Sequence, residues 1–365
     1  MIGCDGLMKK VLVVGATGLI GKETIKKFVE QNNVEVVGVS RRPVEVKGMT
    51  HLQVDLTDER QCNELFSQLT DVTHVVYAAL YEKPKLTAGW TDEEQIEMNK
   101  RMIKNVLEPL EKASRKTLKH ITLLQGTKAY GGHVREFKIP AKEGISDARD
   151  LPNFYWEQQH YIEELQVGKG WNWTILRPQI VVGESIGSPM NVISAIGVYA
   201  SLLKEEGLPL YYPGTVSSII EFTDVSLLAE AIVWAGESEA AKNEIFNITN
   251  GDVSGFKHLW DAIAESFGME PGEHKPMYLH QELSKKEKEW DMIRKKYALN
   301  SPKLMDFVGQ SFQFVDRYMH ELKYPLIVSA IKIRKAGFDR FVDSEEMIRK
   351  WFKTYKQNKL LPPAD

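Results

Sequence analysis

Through the first half of the chain, short apolar runs alternate with longer stretches whose apolar residues recur every three or four positions. Strands are predicted at 10–15, 35–39, 50–54, 73–78, 119–125 and 173–177, each a run rich in Val, Ile, Leu or Thr. The clearest helix spans roughly 92–113, where Ile96, Ile103, Val106, Leu107 and Leu110 define one face and Glu94, Lys100, Lys104 and Glu111 the wet one. Such alternation is expected of a parallel sheet with crossover helices on both faces.

Beyond about residue 186 the alternation loosens. One more strand is predicted at 244–249, and helical, charge-rich sequence dominates the remainder, with 281–297 reading as a solvated helix face. The expected fold is α/β, a Rossmann-type doubly wound parallel sheet with a smaller, mainly helical C-terminal lobe. The division expected is 1–185, with 218–250 returning to it, for the nucleotide-binding domain, and 186–217 with 251–365 for the substrate lobe. The apolar stretch at 192–203 is too short to span a bilayer.

Composition narrows the classes little further. With 365 residues, 43% hydrophobic and a formal charge of −3, the chain has the balance of a soluble protein and no electrostatic bias toward nucleic acid or anionic membrane. Cys4 and Cys62 make no disulfide framework, and the nine histidines lack metal-ligand spacing. A cytoplasmic enzyme without a structural metal is the expectation.

Gly15-Ala16-Thr17-Gly18-Leu19-Ile20-Gly21 carries the first specific chemistry. It follows an apolar strand and opens a helix predicted at 22–31, the context that makes a glycine fingerprint meaningful. Gly15 permits the turn, Gly18 the approach of a pyrophosphate, and Gly21 close helix–strand packing. Thr17, Leu19 and Ile20 complete this cofactor loop. The second strand ends in Ser40-Arg41-Arg42, without the acid that usually binds the ribose of NAD. Two guanidiniums and a hydroxyl suit a 2′-phosphate, so NADPH is the cofactor expected. Asp55, with Leu56, follows the third strand, where such folds meet the adenine; an N-cap is the other reading of Asp55. Pro178 and Ile180 lie where the chain turns beside a nicotinamide, although a strand-end turn and a buried strand serve as well.

The usual short-chain dehydrogenase/reductase pair, Tyr-x-x-x-Lys, occurs only at Tyr81/Lys85, with Pro84 inside it, and at Tyr355/Lys359 in the tail. Neither lies on the expected catalytic helix, where Tyr155 is followed four residues later by Gln159. VGATGLIG, SRRP, VDLTD, LTDVTHVVYA, LQGTKAYGG, LPNFYWE, WTILRPQIVVG and NEIFNITNGDVSGFKHLWDAIAESFG, in this order, resemble the progesterone 5β-reductase/iridoid synthase-like reductases, an atypical branch of the extended short-chain superfamily. SPMNVISAIGVYASLLKEEG resembles that family's helix into its second lobe.

The resemblance implies a catalytic tyrosine at Tyr155, a supporting lysine at Lys128, and NADPH-dependent 1,4-reduction of an enone or enal, steroid enones included. It also implies a homodimer. Ala129, Trp156, Gln158, Gln159 and the Gly132-His133 pair depart from the family pattern, which exposes the choice of substrate more than the reaction. Two other readings stand beside it: a nucleotide-sugar epimerase or dehydratase, which would want Tyr-x-x-x-Lys and NAD, and a non-catalytic NADPH-binding regulator.

Overall fold

The computed structural model describes residues 8–44, 46–83 and 88–363. Cys4, Pro84 and Lys85 lie outside the described residues. Eleven strands occur among those described: β1 (Lys9–Val14), β2 (Val34–Ser40), β3 (Met49–Gln53), β4 (His74–Tyr77), β5 (His120–Leu124), β6 (Asn172–Pro178), β7 (Ile180–Val182), β8 (Leu210–Tyr212), β9 (Phe222–Asp224), β10 (Glu244–Ile248) and β11 (Pro271–His274). Six helices bear on the site: α1 (Leu19–Val29), α2 (Glu59–Phe66), α3 (Glu93–Ala113), α4 (Phe154–Gln166), α5 (Val192–Glu205) and α6 (Val225–Glu237).

Seven strands form one sheet in the order β10-β6-β5-β4-β1-β2-β3, every pairing parallel. The order reverses between β1 and β4, which opens a crevice at the carboxyl ends of those strands. Successive side chains point to opposite faces, so each strand supplies two cores. Val11 and Val13 join Ile25 and Phe28 of α1 and Leu228 and Ile232 of α6. Leu12 and Val14 join Phe66 of α2, Ile103, Val106 and Leu110 of α3, and Ile162 of α4. Burial on both faces explains why these strands read as continuous apolar runs.

A third core surrounds α5, which is buried nearly all round and packs against Trp260, Phe312, Met347 and Leu361. Asn191 caps this helix, accepting from the N–H groups of Ile193 and Ser194. No helix among the described residues is long and apolar enough to cross a membrane.

Four expectations need correction. α1 begins at Leu19, three residues before the predicted start, because the last glycine of the fingerprint already lies in its first turn. Glu111, expected on the wet face of α3, is buried and ion-paired with Lys169 at 2.8 Å. Asp55 is not an N-cap: its carboxylate accepts from the backbone N–H and hydroxyl of Thr57, while Asp58 caps α2. The run at 281–297 is not a plain solvated face. It divides into parts of two helices, Leu279–Leu283 and Glu287–Lys296, and the second buries Trp290 and Ile293, with Trp290 stacked on Phe307 at 5.7 Å.

His74 of β4 and His120 of β5 are register partners, both buried, with ring centroids 6.2 Å apart. Burial, aided by Lys9 and by His120, pushes His74 down to about 3. Burial outweighs the hydrogen bond that His120 Nδ1 donates to Asn172 and brings His120 down to about 4. Both are therefore neutral in the folded chain, whereas the unfolded chain binds protons at these rings once the pH falls below about 6.5. Stability should decline from about pH 6.5 toward 4, each ring contributing a slope of up to about 1.4 kcal/mol per pH unit. Urea midpoints across that range test this. A profile that His74→Gln and His120→Gln leave unaltered would assign acid sensitivity elsewhere.

Candidate active site

The glycine fingerprint turns off β1 beneath the end of β4. Gly15 has φ +95°, and a Cβ there would lie 2.9 Å from the backbone of Ala78 and Ala79. At Gly21 a Cβ would lie within 2.2 Å of the Gly15 carbonyl oxygen, so helix and turn meet backbone to backbone. Gly18 is the N-cap of α1 and supplies no side-chain acceptor. The first N–H groups of that helix thus remain available to an external anion. Thr17 is half-buried beside them, while Leu19 and Ile20 pack against the third core and connect the loop to the C-terminal half.

At the end of β2 the Ser40 hydroxyl donates to the carbonyl of Arg42 at 2.6 Å and contacts His51 Nε2 at 2.9 Å. Ser40 is thereby occupied in fixing the turn. Arg41 and Arg42 are exposed, and neither guanidinium forms an ion pair among the described residues. Asp55 stands near enough to Arg41 for the guanidinium to help hold its carboxyl low, after burial, which opposes this, and two hydrogen bonds from Thr57. Leu56 is a core side chain whose carbonyl accepts from Asn105 at 2.9 Å. An open helix N-terminus one strand away from two exposed guanidiniums fits a dinucleotide.

Lys128 and Tyr155 meet through a residue the sequence analysis did not single out. The Lys128 Nζ lies 3.5 Å from the centre of the Trp90 ring, and Tyr155 packs edge-on against the same indole at 5.3 Å. Trp90 is itself fixed by its Nε1–H, which donates to Glu82 at 3.0 Å. Burial outweighs the nearby Glu82 carboxylate and, with Arg317, brings the Lys128 ammonium down to about 7. Burial and then Glu82 raise the Tyr155 phenol far above the usual range, so it is a neutral donor. Among the described residues, no side chain hydrogen-bonds its hydroxyl.

That hydroxyl faces Gly126, two residues beyond β5, where a Cβ would lie 3.1 Å from the phenol oxygen and 3.5 Å from the carbonyl of Pro178. Gly126 therefore brings Tyr155 and Pro178 together at the carboxyl ends of β5 and β6. Ile180 is a buried residue of β7 and packs in the third core. α4 carries Tyr155 in its first turn, capped by Asn153. Gln159, one turn on, donates to Glu163, so no lysine stands where the usual pair would have one. Tyr355, of the tail copy of the motif, is buried and ties Asn191 and Ser185 to the C-terminal helix. Tyr81, of the other copy, is held by its backbone: its N–H donates to Asn99 Oδ1 and its carbonyl accepts from Asn99 Nδ2.

Beneath Tyr155 lies Arg177, wholly buried. Its Nη1 and Nη2 reach Asp147 at 2.6 and 3.3 Å, and its Nε donates to Gln125 at 2.8 Å. Gln125 in turn donates to the Tyr155 carbonyl at 3.0 Å. Gln125, Gly126 and Asp147, like Trp90 in its contacts with Lys128 and Tyr155, were missed because their partners are remote in sequence, and Glu82 because nothing local marks it. Gly126 alone carried a local signal, a glycine at a strand end.

Fold and site together define an oxidoreductase of the extended short-chain class, built to hold a nicotinamide cofactor. The model of the NAD dependent epimerase/dehydratase family matches residues 11–249. An (S)-8-oxocitronellyl enol synthase of Nepeta racemosa is 33% identical over 96% of this chain and 92% of its own length. A 3-oxo-Delta(4,5)-steroid 5-beta-reductase of Arabidopsis thaliana is 32% identical over 96% of this chain and 92% of its own. Among solved structures, UDP-glucose 4-epimerase of Thermotoga maritima superposes with a TM-score of 0.67 at 19% identity, covering 95% of this chain and 99% of that one. The enzyme of Thermus thermophilus, complexed with NAD, gives 0.66 at 20% identity, covering 95% and 99%. These last two share the fold. The chain belongs to the NAD dependent epimerase/dehydratase family and, within it, to the progesterone 5β-reductase/iridoid synthase-like reductases.

Proposed function

We propose that the protein is an NADPH-dependent reductase of the carbon–carbon double bond in α,β-unsaturated carbonyl compounds. The observation that carries this is the convergence of Tyr155 and Lys128 on Trp90, with the phenol facing Gly126 at the carboxyl end of the sheet. The relatives' names, an enol synthase and a steroid reductase, agree with it. In this reading residues 186–217 and 251–365 form the lobe that closes over substrate.

When bound, the nicotinamide supplies a hydride to the β-carbon. The carbonyl oxygen gains charge as that happens, and the neutral Tyr155 hydroxyl donates to it, an interaction strongest when the enolate forms. Lys128 supports the same charge from a site of low dielectric. A proton from solvent on the α-carbon completes the saturated product. Gly15, Thr17, Gly18, Leu19, Ile20 and Gly21 would hold the pyrophosphate at the α1 N-terminus, and Asp55 and Leu56 would border the adenine. Pro178 and Ile180 would border the nicotinamide.

Arg41 and Arg42 would clamp the 2′-phosphate. Replacing both with alanine should weaken NADPH by about tenfold to a hundredfold and leave NADH nearly unaffected, since charge-assisted hydrogen bonds contribute about 1.5–3 kcal/mol. Dissociation constants for both nucleotides read this out; an unaltered ratio would remove the clamp. Turnover of small cyclic enones, enals and a steroid enone with each nucleotide tests the reaction itself. The epimerase reading loses ground on Gln159, which ties to Glu163 where that chemistry wants a lysine.

A further inference from the structure

Beside Trp90 the site gathers three basic side chains, Lys128, His133 and Arg317, and none of them is ion-paired with a carboxylate among the described residues. Lys128 sits on one side of Trp90, and the His133 ring stands 6.3 Å from the same indole, nearly edge-on. Arg317, from the short helical turn Arg317–Glu321, donates through Nη2 to the His133 carbonyl at 2.8 Å, and Tyr324 donates to the carbonyl of Gly132 at 3.2 Å. The C-terminal half thus grips the 132–133 segment and brings its guanidinium beside the other two groups.

Neither Lys128 nor Arg317 forms an ion pair with a carboxylate among the described residues. Glu82 is the acid whose charge reaches Lys128, and it is engaged by Trp90. Both ring nitrogens of His133 are shielded from solvent with no hydrogen-bond partner. Buried polar atoms are almost always satisfied, and an imidazole without a partner beside a lysine and an arginine that form no ion pair marks a place for a ligand that carries negative charge.

We propose that Lys128, His133 and Arg317 form a carboxylate-binding wall, so that the preferred substrates are enones carrying a carboxylate beyond the reacting double bond. The inference rests on the enone-reductase reading and specifies its substrate class. A carboxylate there accepts hydrogen bonds from His133 and Lys128 and meets the Arg317 charge, while the carbonyl oxygen remains with Tyr155. Burial, Lys128 and Arg317 now push His133 down to about 4, and Lys128 is near 7. An anion among them favours their charged forms, so its binding should draw protons from buffer.

The test uses an open-chain methyl enone with a carboxylate two methylenes beyond its β-carbon, beside its methyl ester. With the wild-type enzyme and NADPH, kcat/KM for the acid should exceed that for the ester by about tenfold to a hundredfold, the range of charge-assisted hydrogen bonds. His133→Phe and, separately, Arg317→Met should shrink that ratio by about tenfold or more each. The saturated keto acid, titrated into wild-type enzyme with oxidised cofactor in two buffers of different ionisation heat, should bind with proton uptake, and its ester without.

Equal turnover of acid and ester, with no proton uptake by the keto acid, overturns the carboxylate wall and leaves the reductase reading intact. Proton-linked binding of the keto acid with no reduction of either enone upholds the wall and overturns the reductase reading instead.

Discussion

Tyr155→Phe should lower kcat by about a hundredfold to a thousandfold, the usual effect of deleting one donor to a developing oxyanion. The ring is held by Trp90 at 5.3 Å and Phe154 at 4.8 Å, and no described side chain hydrogen-bonds the hydroxyl. Removing one oxygen therefore leaves packing unaltered and unpairs nothing in the protein. NADPH affinity and the thermal midpoint should remain close to those of wild type. Because the donor acts chiefly on the enolate-like oxygen, KM should move much less than kcat. Equal losses of cofactor binding and kcat would make Tyr155 a structural residue.

Asp147→Ala should be the most destabilising single substitution near the site, at about 3–5 kcal/mol, because it leaves a buried guanidinium without its counter-charge. Arg177 is wholly buried and Asp147 nearly so, and the pair is bidentate. The loss would travel further than the ion pair. Arg177 holds Gln125, and Gln125 holds the Tyr155 carbonyl, so the phenol should lose its position as well. Urea unfolding gives the stability term, and kcat under conditions where the variant is fully folded gives the positional one. A loss below about 1 kcal/mol, the scale of an exposed pair, would mean that water reaches the guanidinium.

The sheet was legible because strands buried on both faces are apolar throughout and stand out from amphipathic neighbours. The turn from β1 into α1 was legible because its geometry demands glycine, as the Gly21 contact with the Gly15 carbonyl illustrates. Lys128 and Tyr155 were singled out by resemblance alone, since nothing in the local pattern distinguishes them from a surface lysine and a core aromatic. Trp90, Asp147 and Gln125 were missed for a related reason. Their roles rest on contacts between loops that the sheet brings together, and no periodicity records such contacts. Glu111 and Trp290 misled in opposite senses, a buried acid paired with Lys169 and a buried indole amid charges.

The most direct test of enone reduction follows the hydride. With NADPH carrying deuterium at its transferable position, a simple enone should yield the saturated ketone with deuterium on the β-carbon and solvent hydrogen on the α-carbon. Deuterium on the carbonyl carbon, giving an allylic alcohol, would contradict the account, as would cofactor binding without transfer to any conjugated carbonyl.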